Sequence, residues 1–163
     1  HIRLHGIGQR EPWSYGGQAE QAVNAALALR YQLLPYLYRV MQQSSETGLP
    51  VQRAMVLCCP DEKACWGFED QFMFGDELLV APCLTPGGEV ECYLPATIAK
   101  KWRQFPSGES FLGGNSYRLT MPLDQIAVFV PEGVEIPLGP VVEHTATLEG
   151  GTVVETVWPQ ENE

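Results

Sequence analysis

The stretch Ser44-Ser45-Glu46-Thr47-Gly48-Leu49-Pro50 divides the chain into a helical part and a strand-forming part. Ahead of it, Ala22, Ala26, Leu29, Leu33, Leu37 and Val40 recur at steps of four, three, four, four and three. That spacing lays them along one stripe of a helix running from Gln18 to Ser44. Tyr31, Leu34, Tyr38 and Met41 widen the stripe beyond the needs of a solvent-facing helix, so this helix is built to be covered. Pro35 lies within it and removes one backbone hydrogen bond, which predicts a kink or a break into two helices. Gly48 suits a left-handed cap, and Pro50 follows it.

Downstream of Gly48 the chain reads as short strands between Gly/Pro turns. The predicted strands are Gln52–Cys58, Leu78–Ala81, Val90–Leu94, Lys101–Phe105, Tyr117–Met121, Ala127–Val130 and Val134–Pro137. Thr145–Leu148 and Val153–Trp158 follow, joined at Glu149-Gly150-Gly151 as a hairpin. Strands at this spacing without intervening helices predict an antiparallel β-sandwich, so the fold class is mainly β, preceded by one long, Pro-kinked helix. Cys59–Gly75 fits neither period and reads as loop, with a helical turn near Phe68–Phe72. Upstream of the helix, His1 to Gly17 begins strand-like at Ile2 and Leu4 and becomes a Gly/Pro-punctuated loop.

Composition fits a globular protein: 45% of the 163 residues are hydrophobic and 18% charged. A net charge of −10 disfavours nucleic acid and anionic membranes as partners, because both would repel such a surface. No run approaches the roughly 18–20 apolar residues of a membrane span. Cysteines stand at 58, 59, 65, 83 and 92, an odd number with no Cys-x-x-Cys spacing. They read as free thiols in a reducing compartment, and a cytoplasmic location is expected on that basis.

Residue chemistry alone assigns no catalytic site, metal or cofactor. His1 and His5 are four apart, but Gly6 and Gly8 argue against the helix that would pair them on a metal. The acidic pairs Asp61-Glu62, Glu69-Asp70 and Asp76-Glu77 are adjacent in sequence, and adjacent side chains in a strand point apart. Nine aromatic residues cluster between Trp13 and Phe74; such rings stack on sugars, although core packing is the commoner use.

Several motifs, taken in order, resemble family 31 of the glycoside hydrolases, a group of α-glucosidases and α-xylosidases. Arg3-Leu4-His5-Gly6 and Arg10-Glu11-Pro12-Trp13 resemble the segment leaving the last strand of that family's catalytic (β/α)8 barrel. Arg30-Tyr31-Gln32-Leu33-Leu34-Pro35-Tyr36-Leu37-Tyr38 is similar to the last barrel helix. Gly48-Leu49-Pro50-Val51, Arg53-Ala54-Met55, Gln71-Phe72-Met73-Phe74-Gly75-Asp76 and Leu78-Leu79-Val80-Ala81-Pro82 are similar to the exit into the proximal C-terminal sandwich. Tyr93-Leu94-Pro95, Val128-Phe129-Val130, Glu132-Gly133 and Ile136-Pro137-Leu138-Gly139 continue the series, whereas the segment Ala96–Gly114 departs from it.

The resemblance implies three parts: a barrel end at residues 1–47, a sandwich at 48–140 and a terminal hairpin or start of a distal β-domain at 141–163. It implies no cofactor. It also implies that His5 hydrogen-bonds the sugar at the scissile subsite, and that both catalytic aspartates lie on barrel strands with no counterpart in this chain. The expectation is a C-terminal piece of a retaining α-glycosidase, inactive alone and meeting carbohydrate substrate only when a barrel is supplied. The alternative is a stand-alone sandwich that binds carbohydrate or a protein. The helix stripe is expected to pair with a second copy, as a homodimer, or with a partner chain.

Overall fold

A computed structural model of the chain describes residues 6–148 and 156–158. A 3-10 turn at Pro12–Tyr15 leads into α1 (Gly17–Gln32) and α2 (Leu34–Thr47). The predicted break is present, at Leu33. Pro35 has no N–H for the carbonyl one turn back, so the ladder is interrupted. Bonds from Leu33 N–H to the Leu29 carbonyl (3.0 Å) and from Leu37 N–H to the Leu33 carbonyl (2.9 Å) carry the chain across. The Gln32 carbonyl accepts instead from the Gly139 N–H at 2.8 Å, which ties the break to the sandwich. α2 stops at Gly48, left-handed at φ 77°, whose N–H reaches the Ser44 carbonyl.

Beyond the helices lie β1 (Gln52–Ala54), β2 (Phe72–Phe74), β3 (Leu78–Ala81), β4 (Glu89–Leu94) and β5 (Lys101–Phe105). They are followed by β6 (Ser110–Leu112), β7 (Asn115–Thr120), β8 (Ala127–Pro131), β9 (Ile136–Leu138) and β10 (Thr156–Trp158). One sheet has the order β1-β2-β3-β8-β5-β6; β4 pairs with β7, and β9 with β10. Every pairing is antiparallel.

Strand alternation gives the large sheet two buried faces. Met73, Leu79, Ala81, Trp102, Phe111 and Phe129 point one way and meet Val90, Cys92 and Leu94 of β4. Leu78, Phe105, Val128 and Val130 point the other way, onto Tyr36 and Val40 of α2 and Ile136 of β9. The sheet is therefore covered by a β-ribbon on one side and by a helix on the other. Gln71 completes the first face: its side-chain amide donates to the Tyr93 carbonyl (2.8 Å) and accepts from the Tyr93 N–H (2.7 Å). One side chain thus occupies the backbone groups that a neighbouring strand would take on β4.

The stripe read from the sequence is divided by the break. Leu29, Leu33 and Val40 pack with the second core, whereas α1 as a whole has no fully buried residue. Several other expectations fail for identifiable reasons. The strand expected over Gln52–Cys58 ends at Ala54, and Met55–Cys58 makes a helical turn that buries Met55. The expected loop Cys59–Gly75 contains a 3-10 turn at Lys63–Gly67 and the strand Phe72–Phe74, because alternation over only three residues leaves no period to read. Thr145–Thr147 is a 3-10 turn rather than a strand. Thr156–Trp158 pairs with Ile136–Leu138, and the Trp158 indole donates to the Pro106 carbonyl at 3.3 Å. The hairpin turn expected at Glu149-Gly150-Gly151 lies outside the described residues.

The thiol expectation is also corrected. Cys59 and Cys65 are disulfide-bonded, with Cα atoms 6.5 Å apart, while Cys58, Cys83 and Cys92 are free. The inference of a reducing compartment loses its premise, because an odd cysteine count does not forbid one bridge.

The β2–β3 turn is the tightest contact between helix and sandwich. Gly75 has φ 66°, and a Cβ there would stand 2.6 Å from Tyr36 Oη and 2.7 Å from Val40 Cγ2. Gly75→Ala should therefore suffer both left-handed strain and overpacking, a loss of about 2–4 kcal/mol in urea unfolding. Gly108→Ala, at φ 79° with nothing within 4 Å, isolates the strain and should cost only about 1 kcal/mol. Equal losses at the two positions would show that the helix does not press on the turn.

Candidate functional site

His5, the substrate contact implied by resemblance, lies outside the described residues, as does Arg3. The adjoining turn is described. Glu11 accepts from the Arg10 backbone N–H at 3.0 Å and from the Ser14 hydroxyl at 3.4 Å. This turn carries Trp13 and Tyr15 with their rings largely exposed. Of the remaining aromatic cluster Tyr36 is buried, while Tyr38 and Trp66 are exposed.

The densest polar constellation is the joint between α2 and the sandwich. Arg53, on β1, is only 3% exposed, so its guanidinium must be satisfied internally. Its Nε donates to the Pro50 carbonyl at 2.8 Å, one terminal nitrogen pairs with Asp76, and the other reaches Gln43 Oε1 at 3.4 Å. Gln43 in turn donates to the second Asp76 oxygen at 2.5 Å. Arg39 pairs with Glu77, and its guanidinium carbon lies 5.2 Å from the centre of the Tyr36 ring. Burial lifts the Glu77 carboxyl above the usual carboxylate range against the pull of Arg39, and the Asp76 charge adds to the rise. Tyr36 donates its hydroxyl to the Phe74 carbonyl at 2.5 Å, and burial raises its pKa.

A second constellation centres on Glu62. Its carboxylate accepts from the Tyr93 hydroxyl, the Ala96 N–H (3.2 Å), the Thr97 N–H (3.1 Å) and the Thr97 hydroxyl (2.5 Å). Burial pushes its pKa up, but the bonds from Thr97, Tyr93 and Ala96 outweigh that and bring it below the ordinary value. Tyr93 moves the opposite way, to about 12, through burial and through donating to that same carboxylate. The sequence offered Glu62 only as half of the adjacent pair Asp61-Glu62, and its network was not legible because its partners lie more than thirty positions away.

Asp76 and Glu77 each pair with a different arginine, Arg53 and Arg39, and Glu62 holds backbone amides and hydroxyls. The depression along α2 has a volume of about 370 Å³ and is lined by Arg39, Gln42, Gln43, Glu46, Asp76 and Glu77. Another, of about 360 Å³, lies over Leu49, Leu57, Cys58, Met73 and Ile98. Among the described residues no three His, Cys, Asp or Glu side chains converge to hold a metal, and no helix is long and apolar enough to cross a membrane. Burial, with the Glu91 charge, pushes the Cys92 thiol up to about 11, and burial raises Cys58 as well.

A long barrel-type helix bolted by Arg53, Asp76 and Gly75 to a sandwich agrees with what sequence comparison finds. Residues 48–136, more than half of the chain, match the model of the glycosyl hydrolase family 31 C-terminal domain. The chain belongs to glycosyl hydrolase family 31. Residues 1–40 match that family's TIM-barrel domain. The chain is 32% identical to alpha-glucosidase 2 of Bacillus thermoamyloliquefaciens over 141 residues, which are 86% of this chain and 18% of the relative. It is 33% identical to an alpha-xylosidase of Saccharolobus solfataricus, covering 84% of this chain and 19% of the relative. It therefore spans about a fifth of the length of these family 31 relatives. Among solved structures, a Flavobacterium johnsoniae family 31 dextranase complexed with isomaltotriose aligns with TM-score 0.78 and 36% identity over 84% of this chain and 17% of that one. A Xanthomonas citri family 31 alpha-xylosidase aligns with TM-score 0.78 and 28% identity, over 88% of this chain and 16% of that one.

The depressed Glu62 pKa fixes the sign of a pH effect. The network's contribution is fully present above the unfolded carboxylate value, about pH 4.3, and is lost as pH falls through the lower folded value. Glu62→Gln should cost about 1 kcal/mol at neutral pH, a modest loss because the carboxylate is half-exposed. The gap to the unmodified protein should narrow in urea titrations as the pH falls below the unfolded carboxylate value and through the lower folded one. A gap that persists unchanged at low pH would contradict the charged network.

Proposed function

We propose that this chain forms the C-terminal portion of a retaining α-glycosidase that removes terminal α-linked glucose or xylose, and that it carries neither catalytic carboxylate itself. The observation that carries this is the run of barrel-type sequence straight into the C-terminal domain through one packed joint. The names of the relatives, an alpha-glucosidase and an alpha-xylosidase, support the two sugars.

Retaining hydrolysis needs a nucleophile and an acid/base with carboxyl groups roughly 5–5.5 Å apart on the two sides of the glycosidic bond. Both would come from barrel strands contributed by further polypeptide. His5 would stand at the C-terminal end of the last strand, where barrel active sites lie, and donate a hydrogen bond to the sugar. Tyr36, Val40 and Arg53 hold α2 against the sandwich.

Alone, the chain should leave aryl α-glucosides and α-xylosides intact. Turnover abolished by Asp70→Asn or Asp76→Asn would overturn the assignment. Exchanged for the corresponding portion of the Saccharolobus alpha-xylosidase, it should support hydrolysis. In that chimera His5→Ala should lower kcat/KM by about tenfold or more, the loss of one hydrogen bond to substrate. An unchanged kcat/KM would remove His5 from the site.

The half-buried face of α1 around Ala22 and Ala26 is, on the same proposal, the contact for the rest of the barrel. In the isolated chain a second copy takes its place. Sedimentation at micromolar concentration should then show a dimer, and Ala22→Glu with Ala26→Glu a monomer. A monomeric unmodified chain would rule out self-association.

A further inference from the structure

Among the described residues four aromatic rings stand exposed, those of Trp13, Tyr15, Tyr38 and Trp66. The first three belong to the part that matches the barrel domain. Trp66 belongs to the sandwich, on the 3-10 turn Lys63–Gly67, and is 62% exposed. Its neighbour Cys65 enters the core shared with β4, on the side of the large sheet away from α2. Three constraints hold the ring in place. The indole N–H donates to the Pro60 carbonyl at 3.0 Å, the Cys59–Cys65 bond anchors the turn in the core, and Glu62 ties the same loop to Tyr93, Ala96 and Thr97. The one polar atom of the side chain is thus satisfied within the loop, and the ring offers solvent an apolar, electron-rich face.

The geometry points to Trp66 as a stacking platform for one pyranose unit of an α-glucan, an accessory binding site on the sandwich apart from the catalytic centre. A pyranose carries a face of C–H bonds that packs on an aromatic ring and a rim of hydroxyls that both donate and accept. Residues three apart eclipse in a 3-10 helix, which lines Lys63 up with Trp66. Asp61 follows Pro60, at the N–H edge of the indole. Both are exposed, and among the described residues neither enters an ion pair. Lys63 can therefore donate to a sugar hydroxyl and Asp61 accept from one. One charge of each sign beside the ring favours a neutral, polyhydroxylated ligand over a charged one. A ring already fixed in position also loses little side-chain entropy when the sugar settles on it. The inference rests on the α-glycosidase reading: while the barrel works on a chain end, Trp66 holds another unit of the same polymer and raises its local concentration.

Affinity electrophoresis of the whole chain, in native gels cast with dextran, with soluble starch or with neither, tests this. At least one of the two α-glucans should retard the unmodified chain. Trp66→Ala should raise the apparent dissociation constant about tenfold, whereas Trp13→Ala should run like the unmodified chain. Trp66→Phe, which keeps a ring and gives up the indole bond, should retain part of the retardation and so separates loss of the platform from loss of the fold. Mobility that neither glucan changes, or retardation that survives Trp66→Ala, would overturn the platform. Aryl α-xyloside hydrolysis by the chimera with the Saccharolobus enzyme tests the α-glycosidase reading alone, and it should be the same with and without Trp66→Ala. A loss of that hydrolysis in the variant would overturn the separation of Trp66 from catalysis. An inactive chimera beside a retarded chain would sink the α-glycosidase reading and support the platform.

Discussion

Everything in this structure leans on the close approach of the β2–β3 turn to α2. Gly75 has no side chain, so Tyr36 and Val40 can enter the space beside it and reach the face formed by Leu78, Phe105, Val128 and Val130. Tyr36 is completely buried and Val40 nearly so, each worth roughly 1.5–3 kcal/mol of apolar burial. The tyrosine hydroxyl is accommodated because the Phe74 carbonyl lies at the end of the same turn. A side chain on residue 75 would lift the helix from the sheet and expose both faces of the contact together.

Around that contact the polar groups are placed to fix orientation. Arg53 comes from the sandwich, Gln43 from the helix and Asp76 from the turn, and the three bind one another. A buried guanidinium with one partner removed would be left charged without compensation, an outcome far costlier than the pair is stabilising. The triad consequently penalises rotation of the helix more than it strengthens the contact.

Much of this fold was legible in the sequence, and the failures share a cause. The helix, its break near Pro35, its stop at Gly48 and most strands of four or more residues announce themselves by period or by turn chemistry. Phe72–Phe74 and Ser110–Leu112 escape because three residues cannot display a period, and only their pairing partners make them strands. Thr145–Leu148 reads as a strand from composition, but β9 takes Thr156–Trp158 as its neighbour instead. Site residues fared worse. Arg53, Glu62 and Gln71 act on groups distant in sequence, and no local signal distinguishes them from surface polar residues. The Cys59–Cys65 bond is likewise a fact of tertiary placement. The motifs similar to family 31 identified the family, because their order along the chain survives where each alone is unspecific.

The Gln71 side chain carries a consequence for how the protein behaves in company. A strand with free N–H and C=O groups along its outer side is an invitation to another chain, and edge-to-edge growth of this kind leads to swapped dimers and fibres. At Tyr93 both backbone groups are already answered by one amide, so a foreign strand finds no register there. The protein thus gains, from a single buried glutamine, some of the protection that other sandwiches obtain from an additional strand.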